Sequence, residues 1–176
     1  MVKCFLKSGC LLIVVLMLFF TMLPSAHAVE ETPILISETV EQLGDGLYLT
    51  ISVYEFQTNT RSSSFQKSGS KVYVARDSNG DPLWKYTLRG TFTVNQGVSA
   101  VCTTAVGNHE ICNNNWYFNG ASASTSGNQA IADAEFYKKI LGIKVETKSC
   151  HVVLTCDVNV TCHKNSQMRE IERCKI

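Results

Sequence analysis

The chain has 176 residues, 16 Lys and Arg against 15 Asp and Glu, a formal charge of +1, and 45% hydrophobic residues. Its basic residues are scattered, so no electrostatic footprint for nucleic acid or an anionic membrane is visible, and nucleic-acid binding is excluded as a leading function. Eight cysteines make the redox compartment the first question.

Lys3 and Lys7 precede an apolar run from Leu11 to Leu23, and Pro24-Ser25-Ala26-His27-Ala28 follows. A basic start, a short apolar middle and small residues at 26 and 28 fit a secretory signal peptide over 1–28, cleaved after Ala28. The run is short of the ~20 residues that a membrane span needs, so no stable membrane anchor is expected after cleavage, and the product is expected to be extracellular. Lys3 and Lys7 leave with the peptide, as do Cys4 and Cys10. What remains is one domain's worth of chain with six cysteines: Cys102, Cys112, Cys150, Cys156, Cys162 and Cys174. An even count after a signal peptide reads as disulfides. Zinc competes weakly, because no C-x2-C pair occurs and the dipeptides Cys150-His151 and Cys162-His163 point to opposite faces of a strand. No metal and no cofactor is expected.

Residues 29–46 are acidic and keep no long apolar period. They predict an N-terminal arm, with a helical turn or two over Ser37–Leu43 ended by Gly44. From Tyr48 to Phe56 the run YLTISVYEF alternates and is β-branched, a first strand. The serine-rich stretch 57–70 predicts a mobile loop. Lys71 to Val94 is the clearest element, a long hairpin turning at Asp77-Ser78-Asn79-Gly80-Asp81. In its return strand Trp84, Tyr86, Leu88, Gly90, Phe92 and Val94 share one parity against Lys85, Thr87, Arg89, Thr91 and Thr93, which separates a buried face from a wet one.

A fourth strand is expected over 98–106, an irregular polar loop over 107–115, and a fifth strand over 116–124. Ala130, Ala132, Ala134 and Phe136 alternate with Asp133, Glu135 and Tyr137. After Gly142 the pattern returns through Ile143, Val145 and Thr147, and it runs on through Cys150, Val152, Leu154 and Cys156. This is a second hairpin. Seven strands without a long helix predict an all-β fold, an antiparallel β-sandwich over 47–157 stapled by disulfides. A cysteine-containing tail follows over 158–176, where Met168 and Ile171 hint at a short helix.

YLTISVYEFQTNTRSSS, ARDSNGDPLWKYTLRGTFTVNQGVSAVCT and the Ala/Ser run before GNQAIADAEF resemble an uncharacterised family of small secreted β-rich proteins of clostridia-like Gram-positive bacteria. The resemblance covers roughly residues 46–157. It implies a bacterial origin and an extracellular domain, and it carries over no activity and no catalytic residue. It also implies that Cys102 and Cys156 belong to the family pattern while Cys112, Cys150, Cys162 and Cys174 are additions. Together with their apolar strand parity this favours a Cys102–Cys156 bridge, leaving Cys162 with Cys174 and Cys112 with Cys150. The neighbour set, Cys102–Cys112, Cys150–Cys156 and Cys162–Cys174, is weaker because residues six apart on one strand lie about 20 Å from each other.

Four constellations carry candidate chemistry. Asp77, Asn79 and Asp81 stand at the first ligand positions of a calcium loop, but Pro82 and Leu88 break the pattern and favour a plain turn. Ser64-Phe65-Gln66-Lys67 matches S-x-x-K, with neither the helix nor the partner motifs it needs. Asp133 and Glu135, two apart on one strand face, suit acid and base work on glycosides, and the wet face of a strand gives the same pair. Trp116, Tyr117 and Phe118 cannot all point inward. With His109, Asn113 and Asn114 they form a candidate recognition surface for a glycan, cell-wall or protein ligand, against the favoured plain reading of an aromatic anchor covering the end of the core. The expected function is non-catalytic binding. The rivals are an extracellular matrix or envelope structural protein and a small hydrolase using Asp133 and Glu135.

Overall fold

The computed structural model describes residues 32–56, 63–158 and 162–169. The expected signal peptide and the residues of the Cys162–Cys174 pairing beyond 169 lie outside them. Nine strands run in order: β1 (Pro33–Gly44), β2 (Leu47–Phe56), β3 (Ser64–Arg76), β4 (Pro82–Asn95), β5 (Ser99–Ile111), β6 (Trp116–Ser126), β7 (Gln129–Ile140), β8 (Ile143–Cys156) and β9 (Cys162–Arg169). They form two antiparallel sheets, β1-β2-β3-β4-β5 and β6-β7-β8-β9, each strand pairing with its neighbour in sequence.

The alternation in β4 sets the core. Trp84, Tyr86, Leu88, Phe92 and Val94 are buried, and Leu49, Ile51 and Val53 from β2 join them. The second sheet contributes Ala130, Ala132, Ala134 and Phe136 from β7 and Cys150, Val152, Leu154 and Cys156 from β8. The two sheets meet face to face where the Trp84 and Phe136 rings stack at 4.1 Å with 6° between their planes. Such a pair adds about 1 kcal/mol beyond the area it buries. Alanine opposite the first sheet's aromatics keeps the gap narrow: a Cβ on Gly90 would come within 2.9 Å of the Ala130 methyl.

Five expectations change. The 29–46 stretch is not simply an arm, for it carries β1. Its helical turn is absent because Ser37 to Gln42 pair residue by residue with β2, and Ser52 donates a 2.9 Å hydrogen bond to Glu38. The hairpin closes on Asp45-Gly46, both at positive φ, in the geometry that two-residue turns prefer. The serine-rich loop is shorter than expected, since 64–70 belong to β3 and pair with β4, with 68–70 paired to β2 as well. Lys67 and Ser68 there are buried with partners: Lys67 meets Glu55 at 2.7 Å, and the Ser68 and Thr91 hydroxyls lie 3.5 Å apart. The polar loop at 107–115 begins only at Cys112, because β5 continues to Ile111. The tail carries β9, so Met168 sits on a strand paired with Cys150 and not on a helix.

The fifth change concerns cysteine pairing. Cys102, Cys112 and Cys150 are free thiols in this structure. Cys112 and Cys150 are not bridged: Cys112 is exposed with its N–H on the Leu83 carbonyl of the first sheet, and Cys150 is buried in the second, paired with Ala134. β8 is continuous from Ile143 to Cys156, so a Cys150–Cys156 bridge is excluded as well.

Candidate functional site

The recognition residues expected around 109–118 are dispersed by the fold. Trp116 is 2% exposed and packs against Trp84 with ring centroids 6.4 Å apart, an anchor at the end of the core. His109 stacks on Phe118 at 3.7 Å and closes the side of the core between β5 and β6. Asn113 shapes the loop: its carboxamide oxygen accepts from the Asn115 N–H at 2.9 Å and its carbonyl from the Trp116 N–H at 3.0 Å. Asn114 is exposed beside it. Tyr117 alone points to the outer face of the second sheet. There it stacks on Tyr137, its register partner in β7, with centroids 5.3 Å apart.

That outer face holds the chemistry. β7 alternates, so Asp133, Glu135 and Tyr137 stand outward where Ala132, Ala134 and Phe136 stand inward. Register places Ser122, Asp133 and His151 in one row across β6, β7 and β8, and Gly120, Glu135 and Ser149 in the next. A cleft of about 390 Å³ lies over these two rows and includes Asn119. Its depth comes from β6. A bulge between Phe118 and Gly120 interrupts the ladder, and Gly120 at φ 146° presents no side chain opposite Glu135.

Within the cleft, His151 Nδ1 lies 2.7 Å from an Asp133 carboxylate oxygen, an ion pair when the imidazole is protonated. The Asn119 carboxamide donates to Glu135, and Lys144 stands 3.8 Å from the same carboxylate. The two carboxylates singled out in the sequence are therefore brought together. A glycosidic acid must be held protonated by apolar surroundings, and here Asp133 is 66% exposed and hydrogen-bonded. Nor do serine, histidine and aspartate form a relay. Asp133 lies between Ser122 and His151, putting that serine two strands, about 9.6 Å, from the imidazole, and Ser149 is about 7 Å along β8. Among the described residues no group of three or more His, Cys, Asp and Glu can hold a metal ion.

The arrangement offers polar contacts to a ligand. Carboxylates, a carboxamide, an imidazole and serine hydroxyls converge on a shallow cleft with a tyrosine pair at one end. His151, Asn119 and Ser149 were missed in the sequence because their meeting depends on register; the alternation of β7 with β8 was the signal that could have found the row. The plain turn favoured over a calcium loop is present: the Asp77 carboxylate accepts from the N–H groups of Asn79 at 2.9 Å and Asp81 at 3.0 Å. Ser64 and Lys67 lie on a strand, where residues three apart face opposite sides, and Lys67 is engaged with Glu55. No family model matches the chain, and no curated protein and no solved structure matches it either.

Proposed function

We propose that the protein is a secreted, non-catalytic binding module, a β-sandwich that takes a polar extracellular ligand, a glycan or cell-wall fragment, on the outer face of β6–β8. The single observation that carries this is the cleft in which Asp133–His151 and Glu135–Asn119 lie beside the stacked Tyr117 and Tyr137. Hydrogen-bonding groups held by one another are pre-positioned for ligand hydroxyls, and an aromatic face accepts the C–H side of a sugar ring. Secretion rests on the 1–28 leader, and bacterial origin on the resemblance over 46–157.

The disulfide expected between Cys102 and Cys156 belongs to the same reading. Their N–H groups bind consecutive carbonyls of the β6–β7 turn, Cys102 to Gly127 at 2.8 Å and Cys156 to Asn128 at 3.0 Å. Oxidation on export would tie β5 to β8 around that turn. The rival for Cys156 is Cys162, its register partner in β9. A screen of the mature protein against immobilised glycans and purified cell walls tests the function. Retention that is lost in Tyr117→Ala and His151→Ala supports it, and failure to retain any such ligand counts against it.

One observation favours a second reading, self-association of a structural protein. β1 is a sheet edge, and Ile34, Leu35, Ile36 and Val40 along it are each at least 40% exposed. Sedimentation velocity over a range of concentrations separates the two.

A further inference from the structure

The β7–β8 turn consists of Leu141 and Gly142, at φ 51° and 81°, between the register partners Ile140 and Ile143. That is the two-residue type I′ geometry, which calls for Asn or Asp before Gly, as the β1–β2 turn supplies with Asp45-Gly46. Leucine in left-handed backbone is strained. It gains nothing from the core in return, for Leu141 is 98% exposed. Ile143 at 68%, Ile140 at 50% and Val145 at 44% extend the apolar tip. Folding alone offers no reason to keep such a tip, and strain at an exposed turn points to function.

Immediately behind the tip, Lys139 and Lys144 face each other across the hairpin, with the Glu135 carboxylate 3.8 Å from Lys144 Nζ on the cleft side. Behind them stand the tyrosines, with Lys139 Nζ 5.0 Å from the Tyr117 ring and Lys144 Nζ 4.9 Å from the Tyr137 ring. Apolar tip, basic collar and aromatic belt follow one another in the order of a lipid interface: acyl boundary, anionic headgroups, headgroup–water region. The spacing agrees. The tip projects two residues, about 7 Å, beyond the lysine pair, within the 5–10 Å depth of interfacial insertion.

We infer that the β7–β8 hairpin docks the protein reversibly on anionic lipid bilayers, with Leu141 and Ile143 entering the interface and Lys139 and Lys144 meeting the headgroups. Lipid is favoured over a protein partner because the collar answers a headgroup layer and the tip is a point, without the area a protein interface buries.

The test is co-sedimentation of the mature protein with vesicles of phosphatidylglycerol and phosphatidylcholine and with vesicles of phosphatidylcholine alone. Binding is expected to the first, to fall with added salt, and to be weak on the second. Leu141→Asn suits the turn better, so its melting temperature should hold or rise while vesicle affinity falls about tenfold or more, the loss of one buried leucine. Lys139→Gln with Lys144→Gln should remove most of the salt dependence. His151→Ala, in the cleft, should bind vesicles as the parent does. Absence of binding to phosphatidylglycerol vesicles, or undiminished binding by Leu141→Asn, overturns the inference. Capture of a protein with no lipid binding would assign the tip to that partner and also overturn it.

Discussion

Tyr86 and Gly107 touch across the β4–β5 edge of the core so closely that a Cβ added to Gly107 would lie 2.1 Å from the tyrosine hydroxyl. That hydroxyl is buried and has no hydrogen-bond partner among the described residues. Gly107→Ala is therefore expected to cost about 1–3 kcal/mol by overpacking. Tyr86→Phe removes an unsatisfied polar atom and should be close to neutral. Combined, the phenylalanine should recover part of the loss, since it removes the 2.1 Å contact and leaves the next ring atom at 3.0 Å. Urea unfolding of the four proteins in this cycle checks it, and additive losses would contradict the contact.

Leu88 is fully buried and Thr87, beside it, faces outward. Leu88→Asp should abolish folding or cost about 4 kcal/mol or more by burying an unpaired carboxylate, while Thr87→Asp stays within about 0.5 kcal/mol. Thermal melts of both variants decide, and equal shifts would reverse the face assignment.

How much of this was legible follows from where the chain alternates. β2, β4, β7 and β8 were readable because large apolar residues recur every second position, and so were the outward Asp133 and Glu135. β1 escaped because its half-buried positions are Ser37, Thr39, Glu41 and Leu43, giving polar residues on both faces. The start of β3 escaped because Lys67 and Ser68 look like loop residues until Glu55 and Thr91 come beside them across the sheet. Of the site, the carboxylates were visible but their partners were not, since Asn119 reaches Glu135 only through a bulge. The basic collar was missed for a related reason. Lys139 and Lys144 read as scattered until the hairpin sets them opposite each other.

Thiol chemistry should follow burial and reach. Cys112 is exposed, whereas Cys150 is 2% exposed. In the native protein a thiol reagent should label Cys112 promptly and Cys150 only after unfolding. Non-reducing peptide mapping should recover Cys102 joined to Cys156. A Cys112–Cys150 peptide would contradict the burial of Cys150 in the second sheet, and a Cys156–Cys162 peptide would move the staple to the β8–β9 hairpin.

Alkaline stability has a sign. Burial pushes the Cys150 thiol from its ordinary 9.0 up to about 12, and burial likewise raises the Tyr86 phenol from 10.0 to about 12. The folded state holds these protons more tightly than the unfolded chain. Their contribution to stability is therefore complete below about pH 9, begins to fall as the unfolded thiol ionises, and is lost as pH rises through about 12. The urea midpoint should hold up to about pH 9 and decline above it. Cys150→Ala should begin its decline later, with the tyrosines near pH 10, and an unchanged profile would assign the alkaline loss elsewhere.

The most direct measurement of the binding account is amide chemical-shift mapping of the isotopically labelled mature protein against soluble cell-wall glycan fragments. Perturbations are expected to cluster at 117–122, 133–137 and 147–151, the three strand segments that line the cleft, and to vanish in His151→Ala with Tyr117→Ala. Perturbations confined to the outer face of the first sheet, or none at any concentration of the fragments, would contradict the account.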